Sequence, residues 1–407
     1  MTPIIPNAGQ EAVIRAGVDV IKHGTKQVFQ FVGNPGTGKS FVLSEIIRRS
    51  GIDPKRVAPM AYTGTAVNVM KKKGLLNAKT IHSTLYEVVE ETVLDGNGKP
   101  VMDTYLNKPM TKLKLIPKPT PDVDVFVIDE GSMVPFSMKA EIESRGIPII
   151  VTGDLDQLPP VADTPAYLAD GDVMELTEIM RQALDSPIIY LSQRAKHSLP
   201  IHCGIYGNYY DQSVLVIDRE DLTDEMLINS QAVLCGTNRT REEINDKIRH
   251  IKGYSGRLPQ FGEKIICRNN NRMEIAGDIN LANGLMGYVL NRPDPSGINL
   301  RNGTYKLDFK SFISDVPFVD LDANLRYFNA SPEEKKAIKN AKFGQSGELF
   351  ELAYAITVHL SQGSQYDCGL FYEEFLRKDI HNKLVYTAIS RFAKRMIYVK
   401  APVKKYF

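Results

Sequence analysis

The sequence predicts an α/β protein built on parallel, doubly wound sheets, and three observations carry that prediction. Short apolar runs at residues 28–32, 57–61, 123–128 and 147–152 each end in a polar loop. Helix-compatible stretches such as 7–21 and 40–49 alternate with them, the pattern of parallel strands joined by crossover helices. Between the first run and its helix lies Gly33-Asn34-Pro35-Gly36-Thr37-Gly38-Lys39-Ser40, a loop at the strand end where open α/β sheets bind ligands.

That loop has the context of a phosphate cradle. Glycines let backbone N–H groups converge on a polyphosphate, and the helix N-terminus adds partial positive charge. Lys39 would reach the outer phosphates, and the Ser40 hydroxyl would ligate magnesium. The chain is therefore expected to bind a nucleoside triphosphate, with Asn34, Pro35, Gly36, Thr37, Gly38, Lys39 and Ser40 around the phosphates.

Composition bounds the rest. At 407 residues, with 43% hydrophobic and 24% charged residues, the chain is expected to be a soluble protein of two or more domains. No apolar run approaches membrane-spanning length, and the N-terminus does not read as a signal peptide. Cys203, Cys235, Cys267 and Cys368 form no C-x-x-C pair and read as reduced, mostly core cysteines of a cytoplasmic protein. A net charge of +2 neither demands nor excludes nucleic acid. Lysines at 108, 112, 114 and 118 make one local basic run, a pattern that a solvated face accounts for more often than a ligand does.

In chain order, residues 7–21 carry apolar residues at helical spacing with Asn7 as N-cap. Gln10 lies in the first turn, where its amide could pair with the adenine edge. The second strand runs into Tyr62-Thr63-Gly64-Thr65-Ala66, a small, hydroxyl-rich turn suited to a phosphodiester backbone. Residues 88–94 and 100–102 flank Asp95-Gly96-Asn97-Gly98-Lys99 and read as a β-hairpin, followed by a Pro/Lys-rich return linker to Pro121. The third strand ends in Asp129-Glu130. Asp129 would hold the magnesium touched by Ser40, and Glu130 would polarise the attacking water. The fourth runs into Gly153-Asp154-Leu155-Asp156-Gln157-Leu158-Pro159-Pro160, where Gln157 is placed to sense a γ-phosphate or its water.

These segments resemble, in order, motifs I, II and III of superfamily 1 helicases, and Glu175-Leu176-Thr177-Glu178-Ile179-Met180-Arg181-Gln182 resembles motif IV. Residues 354–364 look like motif V and residues 385–391 like motif VI. The flavour is that of the RecD/Dda-like branch, superfamily 1B, and the resemblance runs from about Gln10 to Arg391.

The resemblance implies two RecA-like P-loop domains clamping ATP and Mg2+, with single-stranded DNA across both. Residues 1–84 with 121–183 would form domain 1A, 85–120 a β-hairpin pin (1B), 184–257 with 348–407 domain 2A, and 258–347 an SH3-like β-barrel insertion (2B). It makes Gln10 the adenine reader, sets Arg181 and Arg391 on the γ-phosphate, and puts Gly363 at the nucleotide. Thr63, Gly64, His82, Pro159, Asn238, Asn283, Thr357 and His359 correspond to positions facing DNA. Leu360 and Gln365 depart from the branch, which commonly has Lys and Glu there.

The implied activity is ATP-dependent translocation on single-stranded DNA, 5′→3′, unwinding duplexes at single-strand/duplex junctions. Backbone grip implies little base specificity and strong salt dependence. The implied setting is a monomer in the cytoplasm, the host's if the chain is phage-encoded, with no membrane contact. A single-strand-binding protein or replication and recombination proteins would be its partners. Two rivals are a single-strand-stimulated ATPase that remodels protein–DNA complexes without unwinding, and a nucleotide-gated DNA-binding module without turnover.

Overall fold

All four apolar runs foreseen in the first half become strands of one sheet. A computed structural model describes residues 5–402 apart from 73, 103–108, 110, 161–163, 169–170, 181–184, 209–211, 270, 277–278, 292–294, 301 and 341–346. The sheet's spatial order is Lys79–Thr80, Val57–Ala61, Val125–Ile128, Ile149–Gly153, Val28–Gly33 and Val173–Leu176, with every pairing parallel. The strands are apolar on both faces because helices cover both. Phe29, Phe31, Val125, Val127 and Ile150 are buried with Val13 and Ile14 of helix Ala8–His23, and with Val42 and Ile46 of helix Lys39–Ser50.

A second six-stranded sheet follows, in the order Ala355–Thr357, Val233–Cys235, Tyr366–Tyr372, Phe392–Val399, Ser213–Ile217 and Gly204–Gly207. It is parallel except for the last pairing. Helix Lys378–Ile389 leads directly into strand Phe392–Val399. Both sheets belong to one compact unit, Met1–Thr84 with Thr120–Glu243 and Ala355–Phe407.

The other unit comprises Leu85–Pro119 and Ile244–Tyr354. Its antiparallel sheet runs Ile298–Asn299, Thr304–Ser311, Met286–Val289, Lys264–Cys267 and Phe350–Leu352, with Phe318–Asn324 also on Thr304–Ser311. Ile265, Leu307, Phe309, Leu321 and Phe350 fill its core. The sheet's closing strand thus lies beyond Gly347.

In the same unit, Tyr86–Thr92 pairs with Thr111–Pro117 over seven registered pairs. The expected return linker is therefore corrected to a full strand. Its Thr-Lys-Leu-Lys-Leu alternation from Thr111 to Leu115 has the period of a pleated ribbon, which the flanking prolines obscured. The tight turn is where the sequence put it: Asp95 N–H donates to the Lys99 carbonyl at 2.8 Å, and Gly98 takes φ 75°. Lys108 lies outside the described residues.

The four cysteines are free, Cys235 and Cys267 buried and Cys203 exposed. Among the described residues no helix is long and apolar enough to cross a membrane.

Close packing in the antiparallel sheet gives a direct test. A Cβ on Gly287 would stand 2.0 Å from the Lys310 carbonyl oxygen of the neighbouring strand. Gly287→Ala should therefore destabilise by about 1–3 kcal/mol, read as a lower midpoint in urea unfolding; an unchanged midpoint would refute the tight register.

Candidate nucleotide site and nucleic-acid face

The glycine loop leaves strand Val28–Gly33 and enters helix Lys39–Ser50 through two left-handed residues, Gly36 (φ 87°) and Gly38 (φ 84°). Only glycine takes these angles without strain. A Cβ at Gly38 would lie 2.6 Å from Gln10 Nε2, and one at Gly33 2.4 Å from Thr37 Oγ1. Thr37 Oγ1 donates to the Asn34 carbonyl at 2.9 Å, and Met180 N–H donates to the Gly36 carbonyl at 2.9 Å. Lys39 Nζ donates to the Gly33 carbonyl and, at 3.4 Å, to the Asn34 carbonyl. Ser40, at the helix start, is exposed.

Gln10 is buried rather than solvent-facing, and its amide is spoken for. Its Oε1 accepts from Asn7 N–H at 3.1 Å, half of a capping box. Its Nε2 donates to the Thr37 carbonyl at 3.0 Å. The side chain thus ties the first helix to the glycine loop. A cavity of about 330 Å³ opens beside the loop, lined by Pro35, Gly36, Met180, Ser192, Gln365 and Phe392 among others.

Asp129 and Glu130 follow strand Val125–Ile128. Asp129 Oδ1 accepts from Glu130 N–H at 2.9 Å, and Glu130 itself is left-handed, at φ 53° and ψ 45°. For a residue with a Cβ that backbone costs about 1–3 kcal/mol, a strain found most often at functional sites. Facing Glu130 from the second sheet is Arg391, buried at 6% exposure, with Nη1 3.7 Å from Glu130 Oε1. Its Nε and the Oε1 of buried Gln157 have no partner among the described residues. Arg181 lies outside them.

These features fit a magnesium-bound triphosphate: a cradle with no room for Cβ atoms, a lysine and a hydroxyl at the helix start, and a carboxylate at the end of a strand two places away in the same sheet. Two buried polar atoms still require partners.

The loop Gly153–Pro160 reveals residues that motif reading did not single out. Asp154 is buried, and its Oδ2 accepts from the Tyr386 hydroxyl at 2.6 Å. Burial pushes the Asp154 carboxyl above its usual range, with Lys39 and the Tyr386 hydrogen bond opposing. Thr387 Oγ1 accepts from Leu158 N–H at 2.9 Å, and Gln362 Nε2 donates to the Leu158 carbonyl at 2.8 Å. Lys383 Nζ donates to the Leu155 carbonyl at 3.0 Å, and Lys196 pairs with Asp156 at 2.7 Å. With its amide oriented to match these neighbours, Asn34 donates to Asp156 and accepts from Lys196. The available signal was sequence position: Asp154, Tyr386, Thr387 and Gln362 all lie inside quoted motifs.

The expected nucleic-acid residues lie mostly at strand ends and helix starts. Thr63 Oγ1 accepts from Ala66 N–H at 3.2 Å, and Gly64 begins helix Gly64–Lys72. The His82 ring is 5.9 Å from that of Tyr62. Thr357 ends strand Ala355–Thr357, its Oγ1 accepting from Leu360 N–H at 3.3 Å. Burial lowers the His359 pKa, so the imidazole is neutral near pH 7. Pro159 is half-buried in its loop. Asn238 is exposed at the start of helix Asn238–Ile251. Asn283, also exposed, belongs to the other unit. Gly363 departs from expectation: its φ is 76°, and a Cβ there would lie 2.8 Å from that of Ala66, beside Thr63 and Gly64. Gln365, two residues on, is the one that lines the cavity by the glycine loop.

Comparison with known proteins agrees with this geometry. A family model described as an AAA domain matches residues 6–199. The ATP-dependent DNA helicase Pif1 of Bdellovibrio bacteriovorus is 31% identical over 161 residues, 37% of this chain and 32% of that protein. The chain thus spans about a third of that relative's length. The ATP-dependent DNA helicase Pif1 of Campylobacter jejuni is 25% identical over 372 residues, covering 81% and 79%. The crystal structure of Bacteroides Pif1 in complex with ADP-AlF3 and ssDNA matches in fold, with a TM-score of 0.55 at 16% identity, covering 99% and 94% of the two chains. In its ordered motifs and in these relatives the chain is similar to DNA helicases of the RecD/Pif1-like branch of superfamily 1B, and its fold is that of the Bacteroides Pif1 structure.

Proposed function

We propose that this chain is an ATP-driven motor that translocates 5′→3′ on single-stranded DNA and separates the duplex ahead of it. The observation that carries the proposal is Arg391, delivered by the second sheet to within 3.7 Å of Glu130 at a strand end of the first. An arginine there neutralises charge building on a transferred phosphoryl group. Hydrolysis therefore depends on how the two sheets close. The relatives' names and the ADP-AlF3–ssDNA complex of Bacteroides Pif1 support the reading.

Each group has a role in it. Lys39 leaves its loop carbonyls for the outer phosphates, and Ser40 and Asp129 hold the magnesium. When bound, the ion would supply positive charge to those phosphates. Glu130 takes a proton from the attacking water, Gln157 orients that water, and Arg181 acts beside Arg391. Gln10 reads adenine. Residues 1–84 with 121–183 and residues 184–257 with 348–407 serve as the two RecA-like lobes. Because one chain carries both, a monomer supplies the whole cleft. Thr63, Gly64, His82, Pro159, Asn238, Asn283, Thr357 and His359 grip the DNA backbone, the hairpin at 85–120 acts as a steric pin, and residues 258–347 form the barrel insertion. Single-strand-binding, replication or recombination proteins are its expected company on DNA.

Strand displacement on duplexes carrying a 5′ or a 3′ tail tests activity and direction together. Unwinding with ATP of the 5′-tailed substrate alone is expected. Turnover of ATP without displacement of either substrate would favour the remodelling ATPase instead.

Two substitutions test the chemistry. Lys39→Ala should abolish single-strand-stimulated hydrolysis while leaving the circular dichroism spectrum intact. Arg391→Ala should lower kcat by about 10³-fold or more, in the range of arginines that act on transferred phosphoryl groups; a loss below tenfold would remove Arg391 from the reaction.

A further inference from the structure

The bond between Tyr386 and Asp154 ties the loop that carries Gln157 to the turn that carries Arg391. Tyr386 is fully buried, Asp154 is 1% exposed, and the hydroxyl donates to Oδ2 at 2.6 Å. Each partner leads, by short hydrogen-bonded steps, to a residue proposed above to act in hydrolysis.

On the first-sheet side, Asp154 holds its own loop. Oδ1 accepts from Asp156 N–H at 3.0 Å, and Gln157 Nε2 lies 3.5 Å from Oδ2. The carboxylate that receives Tyr386 therefore also orients Gln157, whose Oε1 has no partner among the described residues.

On the second-sheet side, Tyr386 opens the last turn of helix Lys378–Ile389, five residues before Arg391. Its carbonyl accepts from Ser390 N–H at 3.0 Å. Ser390 Oγ in turn accepts from Arg391 Nη2 at 3.3 Å and donates to the Thr387 carbonyl at 2.8 Å. The turn that carries the arginine is thus anchored at its beginning by the tyrosine.

Two neighbouring bonds make the joint stiff. Both backbone groups of Leu158 are taken by the second sheet's residues, its N–H by Thr387 and its carbonyl by Gln362. A loop held at Asp154 and again at Leu158 cannot shift Gln157 without shifting the turn at Tyr386–Arg391.

We infer that Tyr386 is a positioning residue for hydrolysis: through Asp154 it sets Gln157 and Arg391 in register on one γ-phosphate. The inference rests on the function proposed above and adds a residue to it. Tyr386 touches no phosphate. It acts by making the two groups arrive together, so its loss slows the chemical step rather than substrate binding.

The test is steady-state ATP hydrolysis at saturating single-stranded DNA by the full chain and by Tyr386→Phe, Arg391→Ala and the double variant, with each melting temperature recorded. Tyr386→Phe should lower kcat about tenfold, the worth of one hydrogen bond to a charged group, with KM for ATP within twofold. The double variant should fall no more than twofold below Arg391→Ala alone, because the tyrosine works through the arginine's placement. A kcat within threefold of the unaltered chain, a matching rise in KM, or losses that multiply in the double variant would each overturn the inference. Should Tyr386→Phe not fold, Thr387→Val, which removes the adjoining bond to Leu158, is read by the same criteria. Absence of turnover in the unaltered chain would sink the proposed function itself, and is told apart from a failure confined to Tyr386 because that chain is measured alongside.

Discussion

A guanidinium held at 6% exposure is stable only where carboxylates or other acceptors meet it. Arg391 finds Glu130 at 3.7 Å, and its Nε finds nothing among the described residues. This half-satisfied cation organises what surrounds it. Glu130 must turn back from its strand to meet it, which requires the left-handed backbone at φ 53°. Arg391 in turn must be presented rigidly, and it sits between a helix end and the first residue of strand Phe392–Val399. The backbone there is pinned, since the Arg391 carbonyl accepts from Tyr366 N–H at 2.8 Å. A charge left short of partners in a closed space is poised for an anion.

Parallel sheets make this arrangement possible. Every strand in such a sheet delivers its carboxyl end to the same edge. Gly33, Ile128 and Gly153 end three neighbouring strands, and the glycine loop, Asp129-Glu130 and Asp154–Gln157 continue from them. No long-range design is needed to gather a lysine, two carboxylates and a glutamine; strand order alone does it. The second sheet repeats the device with Thr357 and the turns that follow Cys235 and Tyr372.

How much of this was legible follows from how local each feature is. Strands buried on both faces announce themselves as apolar runs, and the glycine loop is a contiguous pattern whose physics is local, so four of the first sheet's six strands and the candidates Lys39, Ser40, Asp129 and Glu130 could be read directly. Arg391 became readable only through family likeness, because nothing near it in sequence shows what it faces. Tyr386 and Asp154 were passed over because their meaning lies in a contact 232 residues apart. The same holds for Gln10: its capping box with Asn7 is local and legible, whereas its bond to Thr37 spans 27 residues and is not. The strand Thr111–Pro117 was missed for the opposite reason. Its alternation is local, but Pro109, Pro117, Pro119 and Pro121 around it argue against a strand by composition.

The residues proposed to grip nucleic acid share one electrostatic trait. None of Thr63, Gly64, His82, Pro159, Asn238, Asn283, Thr357 and His359 carries a fixed positive charge, and Leu360 stands where the branch commonly has lysine. Burial lowers the His359 pKa and so disfavours its cationic form. Helix starts at Gly64 and Asn238 supply N–H groups and partial positive charge instead. Even there, Glu374 accepts from Gly236 N–H at 2.6 Å and Thr237 N–H at 3.0 Å, so a carboxylate already neutralises the second helix start. Dipoles of this kind hold a backbone briefly and release it at little cost, whereas rows of paired cations would bind tightly at every register. For the motor proposed above, which would let go of one phosphate before taking the next, weak neutral contacts tied to a tightly coupled hydrolytic cleft are an arrangement that permits stepping.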